Sequence, residues 1–231
     1  MNDPLLKSGI PKLLASQFPA LNSEMINSIA AKWKSDATYR EALDDVKKLE
    51  EDLGPVGIWR ATYGLQEFEQ SADGQPLHTF TYLYPLDFDD VYRPLKYVYM
   101  NLLTGSRLAK VQTRQIVHYS TMHVEECLKL LCNVRGVKRY EKKSLRPLAK
   151  MLGRELGDML VTVDTLGVYA NLAKHEYTVG TAESLFSVED AFALYLCSRK
   201  LGYKILELTG LLPEIASAFE TGRLLKPTLF I

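Results

Sequence analysis

Three polar residues in the second half of the chain have the types and the spacing for acid–base chemistry on a phosphate. Asn171, Lys174 and His175 lie within one turn of a predicted helix, in the segment YANLAKHEY of residues 169–177. An imidazole can take or return a proton near neutral pH, an ammonium group can neutralise a phosphate, and an amide can orient either partner. A ribonuclease that works without a metal needs these groups, with the ribose 2′-hydroxyl as its nucleophile.

A structural explanation of the same residues stands beside the chemical one. Basic side chains in the last turn of a helix interact favourably with the negative end of the helix dipole. Lys174 and His175 satisfy that preference without any function. From the spacing alone, both explanations stay open.

Other catalytic motifs are absent from the sequence, including GxGxxG, GxxxxGK[ST], GxSxG and HExxH. His123 and Cys127 have the i, i+4 spacing of metal ligands, but two ligands without a second pair do not make a structural metal site. Arg114 and His118 form another polar pair at this spacing, which we interpret as surface or interhelix contacts. We therefore expect no metal and no cofactor.

A basic segment precedes the predicted site, with the sequence NVRGVKRYEKKSLR over residues 133–146. Its cations would contact RNA phosphates, and its tyrosine would stack on a base. The candidate RNA-binding residues are Arg135, Lys138, Arg139, Tyr140, Lys142, Lys143 and Arg146. A solvated interhelical loop is an equally good explanation of such a segment.

Hydrophobic periodicity predicts that helices position these residues. The predicted helices cover about 24–34, 36–54, 93–103, 107–132, 144–162, 164–176 and 188–209. Ser144 is predicted to cap one of them, Ser187 and Asp190 form a predicted capping box, and Gly210 is predicted to end the last one. A β-hairpin is predicted over about 56–84, with its turn at residues 72–75. The acidic residues of the second helix, predicted to be a solvated face, are Glu41, Asp44, Asp45, Glu50, Glu51 and Asp52.

Composition limits the class of protein. The chain of 231 residues has 47% apolar residues and as many basic as acidic ones, 28 of each, which favours a globular protein over one that coats nucleic acid by its overall charge. Its three cysteines do not form a disulfide framework and fit reduced thiols in the cytoplasm. No apolar run is long enough for a membrane span, so we expect no membrane partner.

Residues 106–210 resemble a HEPN domain, a family of four- or five-helix bundles in prokaryotic toxin–antitoxin, anti-phage and RNA-processing proteins. The resemblance rests on HYSTMHVEECLKLL, which places Glu125 or Glu126 in an early helix, on YANLAKHEY, and on LFSVEDAFALYLCSRKLGYKIL. Asn171 and His175 match the family's Arg-Asn-x-x-x-His signature, whereas Ala170 occupies the position of its arginine.

The resemblance implies a mainly α fold, a four- to five-helix up-and-down bundle over residues 105–231, with residues 1–104 as an N-terminal helical region carrying the hairpin. It also implies a homodimeric, metal-independent endoribonuclease of bacterial defence or toxin–antitoxin systems. His175 would be the acid–base residue, Lys174 the phosphate cation and Asn171 the orienting residue, with Glu125 in support.

The alanine at position 170 opens three alternatives, because alanine cannot hold a phosphate. Lys174 supplies the missing charge, the protein is a non-cleaving RNA-binding relative, or the alanine was introduced to silence a toxic enzyme. A protein of another class is the further alternative, a non-catalytic interaction or dimerisation module that binds a partner protein through its N-terminal region.

Overall fold

The computed structural model describes residues 23–35, 37–50, 62–70, 76–82, 88–103, 109–175, 186–221 and 228–229. This part of the chain is mainly helical, as predicted. Its helices are α1 (Ser23–Lys34), α2 (Tyr39–Glu50), α3 (Asp89–Leu103), α4 (Ala109–Val134), α5 (Leu145–Met151), α6 (Gly153–Leu156), α7 (Met159–His175), α8 (Val188–Thr209) and α9 (Leu212–Thr221).

Three strands form a small antiparallel sheet in the order β1-β2-β3. Strand β1 (Thr62–Gln70) pairs with β2 (Pro76–Tyr82), and β2 pairs with β3 (Thr228–Leu229). The predicted hairpin turn at residues 72–75 lies outside the described residues.

Local signals determine both ends of α8, as the sequence predicts. The Ser187 hydroxyl accepts a hydrogen bond from the Asp190 N–H at 3.0 Å, and the Asp190 carboxylate accepts one from the Ser187 N–H at 3.0 Å. Gly210 ends the helix with a φ of +75°, a left-handed conformation that costs glycine little. The predicted capping box and helix end are confirmed.

The helix predicted over about 144–162 is wrong in its extent. The chain instead forms α5 and the short α6. It leaves helical geometry at Gly157, which has a φ of +50°, before α7 begins at Met159. Ser144 precedes α5 without a side-chain capping bond. A carboxylate oxygen of Glu125 accepts the Leu145 N–H in its place, at 3.1 Å. The predicted start of α3 is also late, because the helix begins at Asp89.

Helix α4 is the centre of the bundle, since α3, α5, α7 and α8 all pack against it. The N-terminal helices join the same hydrophobic cluster. The buried indole N–H of Trp33 in α1 donates to the Leu102 carbonyl at 2.8 Å, and its ring lies edge-on to Phe192 of α8. The described helices on both sides of residue 104 therefore share one core.

None of the helices in the described ranges combines the length and the apolar character that a membrane crossing requires.

Candidate functional site

The basic segment, α5 and α7 meet at an open cleft of about 660 Å³. The residues that line it are Lys143, Ser144, Arg146, Pro147, Lys150, Met151 and Asn171. The structure therefore brings together three of the predicted site residues, Lys143, Arg146 and Asn171. Lys150, which the sequence did not single out, adds a further cation from α5.

Most cations of this region are exposed. Lys138, Arg139, Lys142, Lys143 and Lys150 all have exposed side chains. Within the described ranges, none of the five forms an ion pair, whereas Arg135 and Arg146 do. Their positive charge is therefore left for solvent ions or a ligand.

Arg146 forms one wall of the cleft by tying α5 to α7. Its guanidinium contacts both carboxylate oxygens of Asp164, at 2.8 and 3.3 Å. Its aliphatic stem crosses α7 at Gly167, where any Cβ would overlap the Arg146 side chain. The hydrogen bond and charge of Arg146 lower the pKa of Asp164, so the pair stays ionised at neutral pH. Arg146 thus serves to shape the cleft.

Two other predicted RNA-binding residues make contacts away from the cleft. Arg135 donates to the Glu155 carboxylate at 3.1 Å and to the Leu208 carbonyl at 2.7 Å, near the end of α8. Tyr140 is half-buried against the core and lines a second cleft, which also contains Asp90. These two side chains fasten the basic segment to the bundle.

Glu125 also acts on the position of α5. One of its carboxylate oxygens is 3.0 Å from the Lys129 ammonium, and the other accepts the Leu145 N–H at the start of α5. A negative charge at a helix N-terminus is favourable because of the helix dipole. The predicted supporting residue therefore orients the helix that supplies Lys150.

The last turn of α7 carries the other predicted site residues. Asn171 and Lys174 are exposed, and the side chain of His175 lies outside the described residues. Arg114 of α4 donates from Nε to the Ala173 carbonyl at 2.6 Å and from Nη2 to the Lys174 carbonyl at 3.3 Å. Carbonyls at a helix end lack partners within the helix, so these bonds hold the turn against α4.

A buried ionic network, not predicted from the sequence, lies on the other side of α4. Arg199 of α8 donates from Nε to Glu50 of α2 at 2.6 Å, and the Tyr195 hydroxyl donates to the same carboxylate oxygen at 3.0 Å. Glu50 is only 3% exposed, so its predicted place on a solvated face is wrong. Burial is the largest single influence and opposes the charge of Arg199, but Glu50 together with Tyr195, Tyr92 and Tyr99 outweighs it and raises the pKa of the guanidinium.

His123 of α4 completes this network as a neutral ring. Its Nδ1 lies 2.8 Å from the Val91 carbonyl, which only accepts, and its Nε2 lies 3.1 Å from Arg199 Nη1, which only donates. These partners define the tautomer with the proton on Nδ1. Burial and the charge of Arg199 lower the pKa of His123 to about 3.

Gly202 allows the close packing at this point. A Cβ added there would lie 2.5 Å from His123 Nε2 and 3.4 Å from Cys127 Sγ. A glycine inside a helical pattern is the one local signal in the sequence for such an approach. In the part of the chain that the structure describes, no group of three or more His, Cys, Asp or Glu residues could hold a metal.

Comparisons with models of known protein families, with curated proteins and with solved structures find no match for this chain.

Proposed function

We propose that this chain is a HEPN-like, RNA-acting protein that binds single-stranded RNA along the cleft between α5 and α7. The observation that carries the proposal is the group of exposed lysines, Lys143 and Lys150 among them, beside Asn171. RNA presents one phosphate charge per nucleotide, and several exposed lysines that form no ion pair within the described residues suit that repeating charge. The neutral overall charge argues against RNA binding over the whole surface by the overall charge of the protein.

Different side chains supply affinity and position in this proposal. Lys138, Lys142, Lys143 and Lys150 contact phosphates as point charges. Arg146, already bound to Asp164, maintains the wall of the cleft. The Asn171 amide, which can donate and accept, contacts a base edge or a ribose hydroxyl.

The HEPN resemblance adds a fold arrangement, an activity and a setting to the proposal. The helices form the family's up-and-down bundle, the protein dimerises, and it acts in bacterial defence or a toxin–antitoxin system in the cytoplasm. The protein either cleaves RNA without a metal or binds RNA without cleaving it. Binding is the part that the cleft supports directly, whereas Ala170 leaves cleavage dependent on other cations.

Charge reversal in the cleft tests the proposal. Fluorescence anisotropy with a short labelled single-stranded RNA, over a range of salt concentrations, would compare wild type with Lys143→Glu/Lys150→Glu. We expect at least tenfold weaker binding and a salt slope that is smaller by about 1.4, since each lost phosphate contact removes about 0.7. The matched control, Lys47→Glu/Lys48→Glu, makes the same charge change on exposed residues of α2 and should bind like wild type. Equal losses in both variants, or no binding by the wild type, would contradict the proposal.

A protein-interaction module is the second candidate function. A groove of about 430 Å³ lies between α1 and α2, and Met25 is 39% exposed at its edge. Exposed apolar surface in a groove is typical of a protein-binding site. Absence of RNA binding by the wild type at low salt would favour this second function.

A further inference from the structure

Three aromatic rings form a cluster on the surface where α3 packs against α4. The ring of Tyr97 in α3 stacks on the ring of Tyr119 in α4, with centroids 4.8 Å apart and planes inclined by 28°. The imidazole of His118 lies beside this pair, with its centroid 5.3 Å from that of Tyr119. We refer to the rings of Tyr97, Tyr119 and His118 as the aromatic platform.

The platform is open to solvent at Tyr97. The other two tyrosines of α3, Tyr92 and Tyr99, are fully buried and pack in the core, whereas Tyr97 is 38% exposed. Tyr119 and His118 are half-buried. Part of the Tyr97 ring can therefore be reached by another ring, while its contact with Tyr119 fixes its orientation.

One contact joins the platform side of α4 to the end of α7. Arg114 lies one helical turn before His118 on α4. Its Nε donates to the Ala173 carbonyl at 2.6 Å and its Nη2 to the Lys174 carbonyl at 3.3 Å. The cleft residue Asn171 is therefore one helical turn from the point where α7 touches α4.

A second contact joins the same face of α4 to the start of α5. Glu125 lies seven positions after His118, and residues four or seven positions apart share one face of a helix. The Glu125 carboxylate accepts the Leu145 N–H at 3.1 Å, next to Ser144, which lines the cleft. Along α4, His118 is about 6 Å from Arg114 and about 10 Å from Glu125. His118 therefore lies on α4 between its contacts with the two helices that form the cleft.

The chemistry of the platform complements that of the cleft. Proteins that bind single-stranded nucleic acid combine cations, which contact the backbone, with aromatic rings on which bases stack. The cleft supplies Lys143 and Lys150, but no aromatic residue lines it within the described part of the chain. The platform supplies the aromatic surface that the cleft lacks.

We propose that the aromatic platform is a base-binding subsite, in which an unpaired base of an RNA bound at the cleft stacks on the exposed ring of Tyr97. Tyr119 orients that ring, and His118 contacts Tyr119 from its own helix. The ligand is single-stranded, because a base within a duplex has no free face for stacking. The inference rests on the proposed function, since the lysines of the cleft hold the RNA backbone.

Removal of the ring tests the subsite. The RNA titration compares wild type with Tyr97→Leu, which keeps an apolar side chain without a ring. We expect at least about fivefold weaker binding, as loss of one stacked base predicts, and an unchanged salt slope, because no phosphate contact is lost. Tyr97→Phe keeps the ring and should bind within about twofold of wild type. Tyr203→Leu, the same change at a half-buried tyrosine of α8, is the matched control.

Removal of the base tests the same contact from the side of the ligand. The wild type is titrated with a set of RNAs, each of which lacks one base but keeps every phosphate. Binding should weaken at least about fivefold at one position, and the same RNA should bind Tyr97→Leu no more weakly than the intact RNA does. The wild-type titrations also give this answer if Tyr97→Leu is less stable, because they require only the native protein. Base effects that are equal at every position, or the same in both proteins, would overturn the inference.

The outcomes distinguish this inference from the proposed function. Binding by Tyr97→Leu like wild type, or equal losses in Tyr97→Leu and Tyr203→Leu, would overturn the base-binding subsite. If Lys143→Glu/Lys150→Glu still weakens binding and reduces the salt slope, the cleft remains the RNA site. Absence of RNA binding by the wild type at low salt would overturn both.

Discussion

Two arginine–carboxylate pairs within the described residues differ sharply in burial and in the helices that they join. Arg199 and Glu50 join α8 to α2 with side chains only 3% and 2% exposed. Arg146 and Asp164 join α5 to α7 with side chains 44% and 43% exposed. The first pair is surrounded by protein and the second by water. Breaking the first should therefore lower the free energy of unfolding by much more than breaking the second.

The comparison also separates charges that serve the fold from charges available for a ligand. In the core, the charge of Arg199 is matched by Glu50, and His123 is held neutral by its surroundings. At the cleft, Lys143 and Lys150 have no ion-pair partner within the described residues. A soluble ligand can reach the second set of charges and not the first.

Breaking the buried pair should have the largest effect. Glu50→Gln leaves the Arg199 charge in the core without a carboxylate, and we expect the free energy of unfolding to fall by about 3–5 kcal/mol. Urea denaturation followed by circular dichroism measures the change. Asp45→Asn is the matched control. Asp45 lies on α2, as Glu50 does, and its pair with Lys32 of α1 is only half-buried, so breaking it should change stability far less.

A double variant tests whether the unpaired charge, rather than lost packing, causes this destabilisation. Replacing both partners by apolar residues of similar size, Glu50→Leu with Arg199→Met, removes the unpaired charge and should recover most of the lost stability. If the double variant is as unstable as Glu50→Gln, packing rather than charge explains the loss.

The sequence predicts the local features of this fold better than its long-range contacts. The limits of α8 follow from Ser187, Asp190 and Gly210, residues that act on the backbone beside them. The pairing of Glu50 with Arg199 spans 149 positions, and neither residue differs in its local pattern from a solvated one. Only the packing of α2 against α8 makes that carboxylate a buried one.

The candidate site shows the same limit. The basic segment and Asn171 are evident from composition and motif, but their meeting in one cleft depends on the break at Gly157. A continuous helix over 144–162 was predicted there, because Gly in a helical pattern is a weak signal. The contact of Arg114 with the end of α7 likewise depends on packing, so spacing along α4 could not reveal it.

Disturbing the close packing around the buried network should lower the free energy of unfolding by an intermediate amount. Gly202→Ala would place a methyl group 2.5 Å from His123 Nε2, and we expect overpacking to lower the free energy of unfolding by about 1–3 kcal/mol. Gly153→Ala is the matched control, since its Cβ would meet only Leu160 at an ordinary 3.8 Å. Alanine favours helix over glycine, so the control should be neutral or more stable in the same urea titration. Equal destabilisation by both would show that the space around His123 is not limiting.

Removing the exposed Arg146–Asp164 pair should change the free energy of unfolding least. The change should also depend on pH, in the direction set by the pKa of Asp164. The pKa of Asp164 is lowered in the folded state by Arg146, so the pair stabilises the fold at pH values above the pKa of an unfolded aspartate. This contribution is lost as the pH falls through the lower folded-state pKa. The stability difference between wild type and Asp164→Asn should therefore be constant near neutral pH and shrink below about pH 4.

Salt distinguishes this surface effect from that of the core. About 1 M salt shortens the screening length to about 3 Å, so the small difference between wild type and Asp164→Asn should nearly disappear. The difference between wild type and Glu50→Gln should persist in the same salt, because ions do not enter the core around Arg199. If salt instead removed the Glu50 effect, the Arg199 side chain would have to be reached by solvent, and the contrast between the two pairs would not hold.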